Sequence, residues 1–300
     1  MSKVALVKAS IAGLMSKPMR LSTLEDEVIY GMKVEILERQ AEGWYRVRTH
    51  YRYEGLVSED DLLFEDTRVV EWEQKTHAVV LHSYADVLTE NRVQGACIIS
   101  LPRGAQVALL SEPDEKGWVK VGLVDGQEGY MKESFLGELA PSMYVDEFVS
   151  YQTELDQEER ISRFVNEQLG LSEEELRKRL VASALTYLGV QYRWGGKTSL
   201  GIDCSGLCSM AYMLNGIIIY RDAKIIEGFP MHAIDISEMK PGDLIFFPGH
   251  VAMYIGNYRY VHSTGKNKSD GVVINSLNPE HKEYREDLRK DITAIGSIFY

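Results

Sequence analysis

The chain has 300 residues, 45% of them apolar, which allows more than one hydrophobic core and suggests two or three domains. Its 33 basic and 45 acidic residues leave a net charge of −12, which argues against nucleic acid as a partner, because that binding needs basic surface. Three cysteines are too few for a disulfide framework, and no apolar run approaches the ~20 residues that span a bilayer.

From the N-terminus, the stretch from Met1 to Pro18 is broken by Lys3, Lys8 and Lys17 and lacks the apolar core of a signal peptide. The expectation is a cytoplasmic protein if Met1 is the native start, and otherwise a periplasmic or secreted one whose leader has been removed. An internal repeat follows. Gly31 to Leu37 leads to Gly43-Trp44-Tyr45-Arg46-Val47 and Glu54-Gly55-Leu56-Val57; Gly104 to Leu110 leads to Gly117-Trp118-Val119-Lys120-Val121 and Glu128-Gly129-Tyr130-Met131. Trp and Gly lie eleven residues apart in both copies, among short alternating strands punctuated by glycine turns. This predicts two small β-barrels over residues 1–68 and 75–140.

Residues 141–180 read as a helical connector, acidic between Met143 and Gln168. Ser172 with Glu175 makes a capping box, and Leu176, Leu180, Ala184 and Leu188 recur on one helical face as far as Gly189. A second helix is predicted from Cys204 or Ser205 to about Asn215. Strands are expected at Leu244–Phe247, Val251–Ile255, Arg259–His262 and Val272–Ile274. Helices followed by strands make the last domain, 181–300, α+β.

Cys204 lies in Gly201-Ile202-Asp203-Cys204-Ser205-Gly206-Leu207. A thiol attacks a carbonyl best as thiolate, so it needs an imidazole or a helix N-terminus nearby. At a helix start, the dipole favours thiolate and the Cys204 N–H can help hold an oxyanion. In Gly249-His250-Val251-Ala252-Met253-Tyr254-Ile255-Gly256, His250, Ala252 and Tyr254 share a strand face, and small Ala252 leaves room for a helix. His262 follows a Gly-Asn-Tyr-Arg turn at hairpin spacing, so it can sit beside His250 and orient it, as an Asp or Asn does in other triads. A zinc site from Cys204, Cys208, His250 and His262 is the minor alternative. CxxxC on a helix is not the usual loop spacing, and Cys208 reads as a small buried hydrophobe.

These motifs, with Pro241-Gly242-Asp243-Leu244 before the histidine strand, resemble the NlpC-type papain-like cysteine peptidases over residues 181–300. The duplicated N-terminal pattern is similar to the bacterial SH3-like domains that often precede wall-hydrolase domains. The resemblance implies Cys204 as nucleophile, His250 as base and acid, His262 as third polar member, and Tyr192, in Tyr192-Arg193-Trp194-Gly195-Gly196, near the oxyanion. It implies no metal and no cofactor.

Arg221-Asp222-Ala223, His262-Ser263-Thr264-Gly265 and Ile274-Asn275-Ser276-Leu277-Asn278-Pro279 further resemble the γ-D-glutamyl-L-diamino acid dipeptidyl-peptidases. The implied partner is a murein peptide, L-Ala-γ-D-Glu-diamino acid, with a free N-terminus. Asp222 would bind its α-ammonium, and Asp203, Ser205 and Trp194 would line the pocket. A tyrosine of the first SH3-like domain closes that pocket in the relatives; Tyr53 matches it, with Tyr51 as rival. A desolvated carboxylate rejects a blocked amine, because it would stay buried and unpaired. Two departures touch the pocket: Ile226 and Glu227 stand where a glutamine is frequent, and Leu56 where an aromatic is common. A wall-lytic endopeptidase, a thiol amidase or transferase, and a binding protein with an inactive site are the competing readings. Oligomeric state is not fixed by the sequence.

Overall fold

The structure, a computed structural model, describes residues 4–40, 43–141, 157–267 and 269–300. The part of the expected connector at 142–156 lies outside the described residues. The chain divides into two units, Met1–Leu139 and Ala140–Tyr300.

The first unit holds two sheets with one topology. Strands β1 (Val4–Val7), β2 (Ile11–Met15), β3 (Leu24–Ile29), β4 (Lys33–Arg39), β5 (Trp44–Thr49), β6 (Glu54–Ser58) and β7 (Leu62–Leu63) pair in the order β3-β2-β6-β5-β4-β1-β7. After helix α1 (Asp66–Glu73), the second copy comprises β8 (His77–Val80), β9 (Tyr84–Leu88), β10 (Cys97–Pro102), β11 (Gln106–Leu109), β12 (Trp118–Gly122), β13 (Glu128–Lys132) and β14 (Leu136–Glu138). It repeats that order as β10-β9-β13-β12-β11-β8-β14.

The Trp–Gly spacing has a steric origin. A Cβ at Gly55 would sit 2.9 Å from the Cβ of Leu14 on β2, and one at Gly129 only 2.5 Å from Val87 on β9. In both copies a bare backbone lets the inward side chain of the neighbouring strand pack onto the sheet. Of the two expected small β-barrels the structure shows the sheets without ring closure: the described pairings run from β3 to β7 and from β10 to β14. The end strand β7 is two residues long and pairs with β1.

The second unit is a mixed α/β structure. Helices α2 (Gln157–Arg163) and α3 (Glu173–Leu185) are followed by the short pair β15 (Lys197–Thr198) and β16 (Gly201–Ile202) and by α4 (Cys204–Met213). Then β17 (His232–Ile234), β18 (Leu244–Phe247), β19 (His250–Gly256), β20 (Arg259–Thr264), β21 (Gly271–Ser276), α5 (Glu286–Lys290) and β22 (Ala294–Ser297) build an antiparallel sheet ordered β17-β22-β18-β19-β20-β21. Ser172 and Glu175 form the predicted capping box of α3, and Leu176, Leu180 and Ala184 are buried. The helix stops at Leu185, short of the expected Gly189, and leaves Leu188 exposed. Arg177 of α3 donates to Asp243 Oδ1 and to the Pro241 carbonyl at 2.9 Å each, which fastens this helix to the turn entering β18. Helix α4 packs against β19 and β20, where Ala252 is fully buried.

Candidate active site

Cys204 opens α4 and Asp203 is its N-cap. The Asp203 carboxylate accepts from the Gly206 N–H (2.5 Å) and the Gly195 N–H (2.8 Å). Arg221 grips both of its oxygens at 3.1 Å and donates a third bond to Ser205 Oγ at 2.8 Å. Both charged residues are buried, Arg221 at 2% exposure and Asp203 at 7%. Two ions taken out of water survive only if each is fully hydrogen-bonded, and here that requirement clamps the helix start to the 193–196 loop. The approach is close enough that a Cβ at Gly206 would lie 2.3 Å from the Gly196 carbonyl oxygen.

The opposite wall is the sheet. Met253 pairs with Val261, so one step further sets Ala252 opposite His262 and puts His250 on the adjacent diagonal of the same face. His262 pairs with Val273, which sets Asn275 on the next diagonal. The side chains join along that line: His250 Nε2 lies 2.7 Å from His262 Nδ1, and His262 Nε2 lies 2.9 Å from Asn275 Oδ1. The Asn275 Nδ2 donates to the Glu283 carbonyl at 3.1 Å. The predicted histidine contact is therefore present, though diagonal rather than directly cross-strand. The two imidazoles use facing nitrogens on each other, and among the described residues no group of three or more His, Cys, Asp or Glu side chains is placed to hold a metal ion.

The Val251 and Ser205 N–H groups donate to the Cys204 sulfur, so the thiol meets β19 at the residue after His250. These donors and the helix start favour thiolate, but burial, reinforced by the Asp203 charge, outweighs them and pushes the thiol up to about 11. Burial, with repulsion from Arg285, lowers His250 to about 4. Burial, followed by the neighbouring His250, lowers His262 to about 3. Burial thus disfavours both the thiolate and the imidazolium, against the thiolate that the helix start alone suggested.

Tyr192 bridges to Ile202, and its phenol is pushed up to about 12 by burial and then by Cys204 and Asp203, which keeps it a hydrogen donor next to the thiol. Ser205, Cys208, Tyr220, Asp222 and Val251 line a cavity of about 10 Å³, the volume of one water. Asp222 accepts from the Tyr220 hydroxyl there. Trp194 is 62% exposed. Asp203, expected as a pocket residue, has its carboxylate engaged by Arg221 and backbone N–H groups. Tyr53 belongs to the first unit, where its N–H donates to Thr49 Oγ1 and it lines a shallow cavity of about 380 Å³ with Met15, Gln40, Arg46 and Glu54. Its rival Tyr51 is a core residue, 2% exposed, whose hydroxyl donates to Asp26 at 2.5 Å. Two residues had no role assigned from sequence. Arg221 is distant from Asp203 in the chain with no periodicity to link them, and Asn275 is found only once the register of β21 is known.

A buried thiol at a helix start, beside hydrogen-bonded imidazoles on an antiparallel sheet, is the equipment of an enzyme that forms acyl-thiol intermediates. Residues 189–288 match the NlpC/P60 family. Over 298 residues the chain is 42% identical to Dipeptidyl-peptidase 6 of Lysinibacillus sphaericus, a similarity that covers 98% of this chain and 99% of that protein. The chain belongs to the NlpC/P60 family and is a cysteine peptidase. It is also 33% identical over 106 residues to the Gamma-D-glutamyl-L-lysine dipeptidyl-peptidase of Bacillus subtilis (strain 168), across 31% of this chain and 30% of that one. The crystal structure of an NlpC/P60 family protein from Bacillus cereus ATCC 10987 has the same fold, with a TM-score of 0.72 at 20% identity over 97% of this chain and 98% of that one.

Proposed function

We propose that this peptidase hydrolyses the γ-D-glutamyl–diamino acid bond of peptidoglycan peptides that begin with free L-alanine, releasing L-Ala-D-Glu. The observation that carries this reading is the similarity to Dipeptidyl-peptidase 6, which runs the length of both proteins rather than over the peptidase region alone. The name of the Bacillus subtilis relative supports the γ-D-glutamyl specificity. In this reading residues 1–68 and 75–140 are SH3-like domains, supported by the identical strand order of the two sheets.

Cys204 is the nucleophile. As its sulfur bonds to the γ-carbonyl carbon, the thiol proton passes to His250, and the oxyanion is held by the Cys204 N–H and the Tyr192 hydroxyl. His250 gives that proton to the leaving amine as the C–N bond breaks, and water then hydrolyses the thioester. Asp222 is the partner we assign to the substrate ammonium. It lines the same small cavity as Ser205, the residue after Cys204, which supports the assignment.

Hydrolysis of L-Ala-γ-D-Glu-L-Lys and its diaminopimelate analogue, each free and N-acetylated, tests the reading, with Cys204→Ala as control. Cleavage of the free peptides only, lost in the control, is expected. Equal cleavage of acetylated peptides would refute amine recognition and favour a wall-lytic endopeptidase.

A further inference from the structure

We propose that Asn275 is a positioning residue that fixes the tautomer of both histidines, so that His250 always presents a bare Nδ1 to the thiol. This rests on the cysteine-peptidase reading and deepens it.

The argument follows hydrogens along the diagonal. The Glu283 carbonyl can only accept, so the Asn275 group 3.1 Å from it is the amide NH2, and Oδ1 is turned toward His262. An amide oxygen can only accept as well, so His262 Nε2, 2.9 Å away, carries its ring hydrogen. A neutral imidazole has one such hydrogen, which leaves His262 Nδ1 as a lone pair. That lone pair, 2.7 Å from His250 Nε2, requires the second ring to be protonated there. His250 Nδ1 is then bare, and it is the nitrogen left over for Cys204. One backbone carbonyl on the segment after β21 thus sets a proton position three side chains away.

When the thiol reacts, its proton moves from sulfur to His250 Nδ1 as the C–S bond forms. His250 Nε2–H stays where it is and now donates from a cation. No proton travels along the chain, and the same proton leaves with the departing amine. The other charges that face the imidazole pair are Arg285, which precedes α5, and Asp287 within it, paired to each other at 2.7 Å; Tyr260 packs edge-on to His262 with centroids 5.1 Å apart. None of these touches the amide that sets the order.

Two readouts need no substrate. Imidazole 15N shifts report which nitrogen carries hydrogen, and the iodoacetamide rate at Cys204 reports the thiol's access to a base. Wild type is expected to show Nε2–H on both rings. Asn275→Leu removes the acceptor, so His262 should populate Nδ1–H and the alkylation rate should fall about 10- to 100-fold. Asn275→Asp accepts in the same direction and should recover most of that loss, with its acid limb moved to higher pH because the carboxylate favours imidazolium. A loss confined to packing would not be recovered by Asp and would leave the 15N pattern intact. Nδ1–H on His262 in wild type, or an Asn275→Leu variant with wild-type rate and pH profile, would overturn the inference. If every peptide is left uncut while these signatures hold, the peptidase substrate is wrong and the proton order stands.

Discussion

The Arg221–Asp203 pair offers the sharpest test of what holds the nucleophile in place. Arg221→Met keeps the volume of the side chain and deletes three charge-assisted bonds, two to Asp203 and one to Ser205. Breaking a buried pair by removing one partner costs about 3–5 kcal/mol, because the other charge stays buried without its counterion. Asp203 keeps two backbone N–H donors, from Gly195 and Gly206, so the lower end, about 3 kcal/mol, is expected. In urea, with a slope of about 2 kcal/mol per molar, that is a midpoint lower by roughly 1.5 M for the transition of the second unit. The second arm is Asp203→Asn in the Arg221→Met background. Asparagine still caps the helix and removes the unpaired charge, so most of the loss should return. Arg221 also favours the Cys204 thiolate while Asp203 opposes it, so alkylation should shift to higher pH in the single variant and back in the double. A single variant that loses under about 1 kcal/mol, or a double variant no better than the single, would refute the claim that the pair is a desolvated clamp.

Other outcomes follow from the same site. Because burial and Arg285 hold His250 near 4, below the usual 6.5 of histidine, the base stays neutral over most of the acid range. The acid limb of kcat/KM should lie near pH 4, and Arg285→Gln should raise it; a limb at the ordinary histidine value in both proteins would contradict this. The unfolded chain protonates both histidines at about 6.5, before the folded one, so stability should decline as pH falls from there toward 4, as thermal melts in graded buffers would record. Gly206→Ala forces a Cβ to within 2.3 Å of a backbone oxygen that cannot step aside, and should cost about 1–3 kcal/mol together with peptidase activity; an alanine variant of normal Tm would show that the 193–196 loop is free to move. Ser172→Ala removes the cap of α3 and should lower stability by about 1 kcal/mol without changing kcat, measured by chemical denaturation beside the peptidase assay.

What could be read from the sequence was whatever rests on local periodicity. Cys204 at a helix start, His250 on an alternating strand and His262 at hairpin spacing needed only period-two and period-3.6 reasoning; the structure has Cys204 open its helix and joins the two histidines by a hydrogen bond. The repeat was legible because one steric demand, a glycine under an inward side chain, recurs at a fixed distance from a tryptophan. Arg221 was not, since its partner is chosen by tertiary packing. Asn275 was not, because its meaning depends on the register of β20 against β21, which turn length alone does not set. Helix α1 was also missed: it is short, and it buries Val69 and Trp72 without a capping signal at its start. The early end of α3 leaves Leu188 exposed; such end effects are where sequence patterns are weakest.

Burial and the charges around the centre act together on the thiol and the imidazoles. Asp203 and Arg221 flank the sulfur and pull its acidity in opposite directions, and Asp287 and Arg285 do the same for His262. Burial is the largest influence on all three groups: the thiol goes up and the imidazoles go down. Burial therefore opposes both the thiolate, which is the reactive form, and the imidazolium. In the proposed mechanism the sulfur's charge passes onto the carbonyl oxygen as the C–S bond forms, beside a Tyr192 phenol that burial pushes up. Proton transfer and C–S bond formation are therefore tied to one event. The proton's destination must be fixed in advance for that event to be fast, which is the service a fixed tautomer at His250 provides.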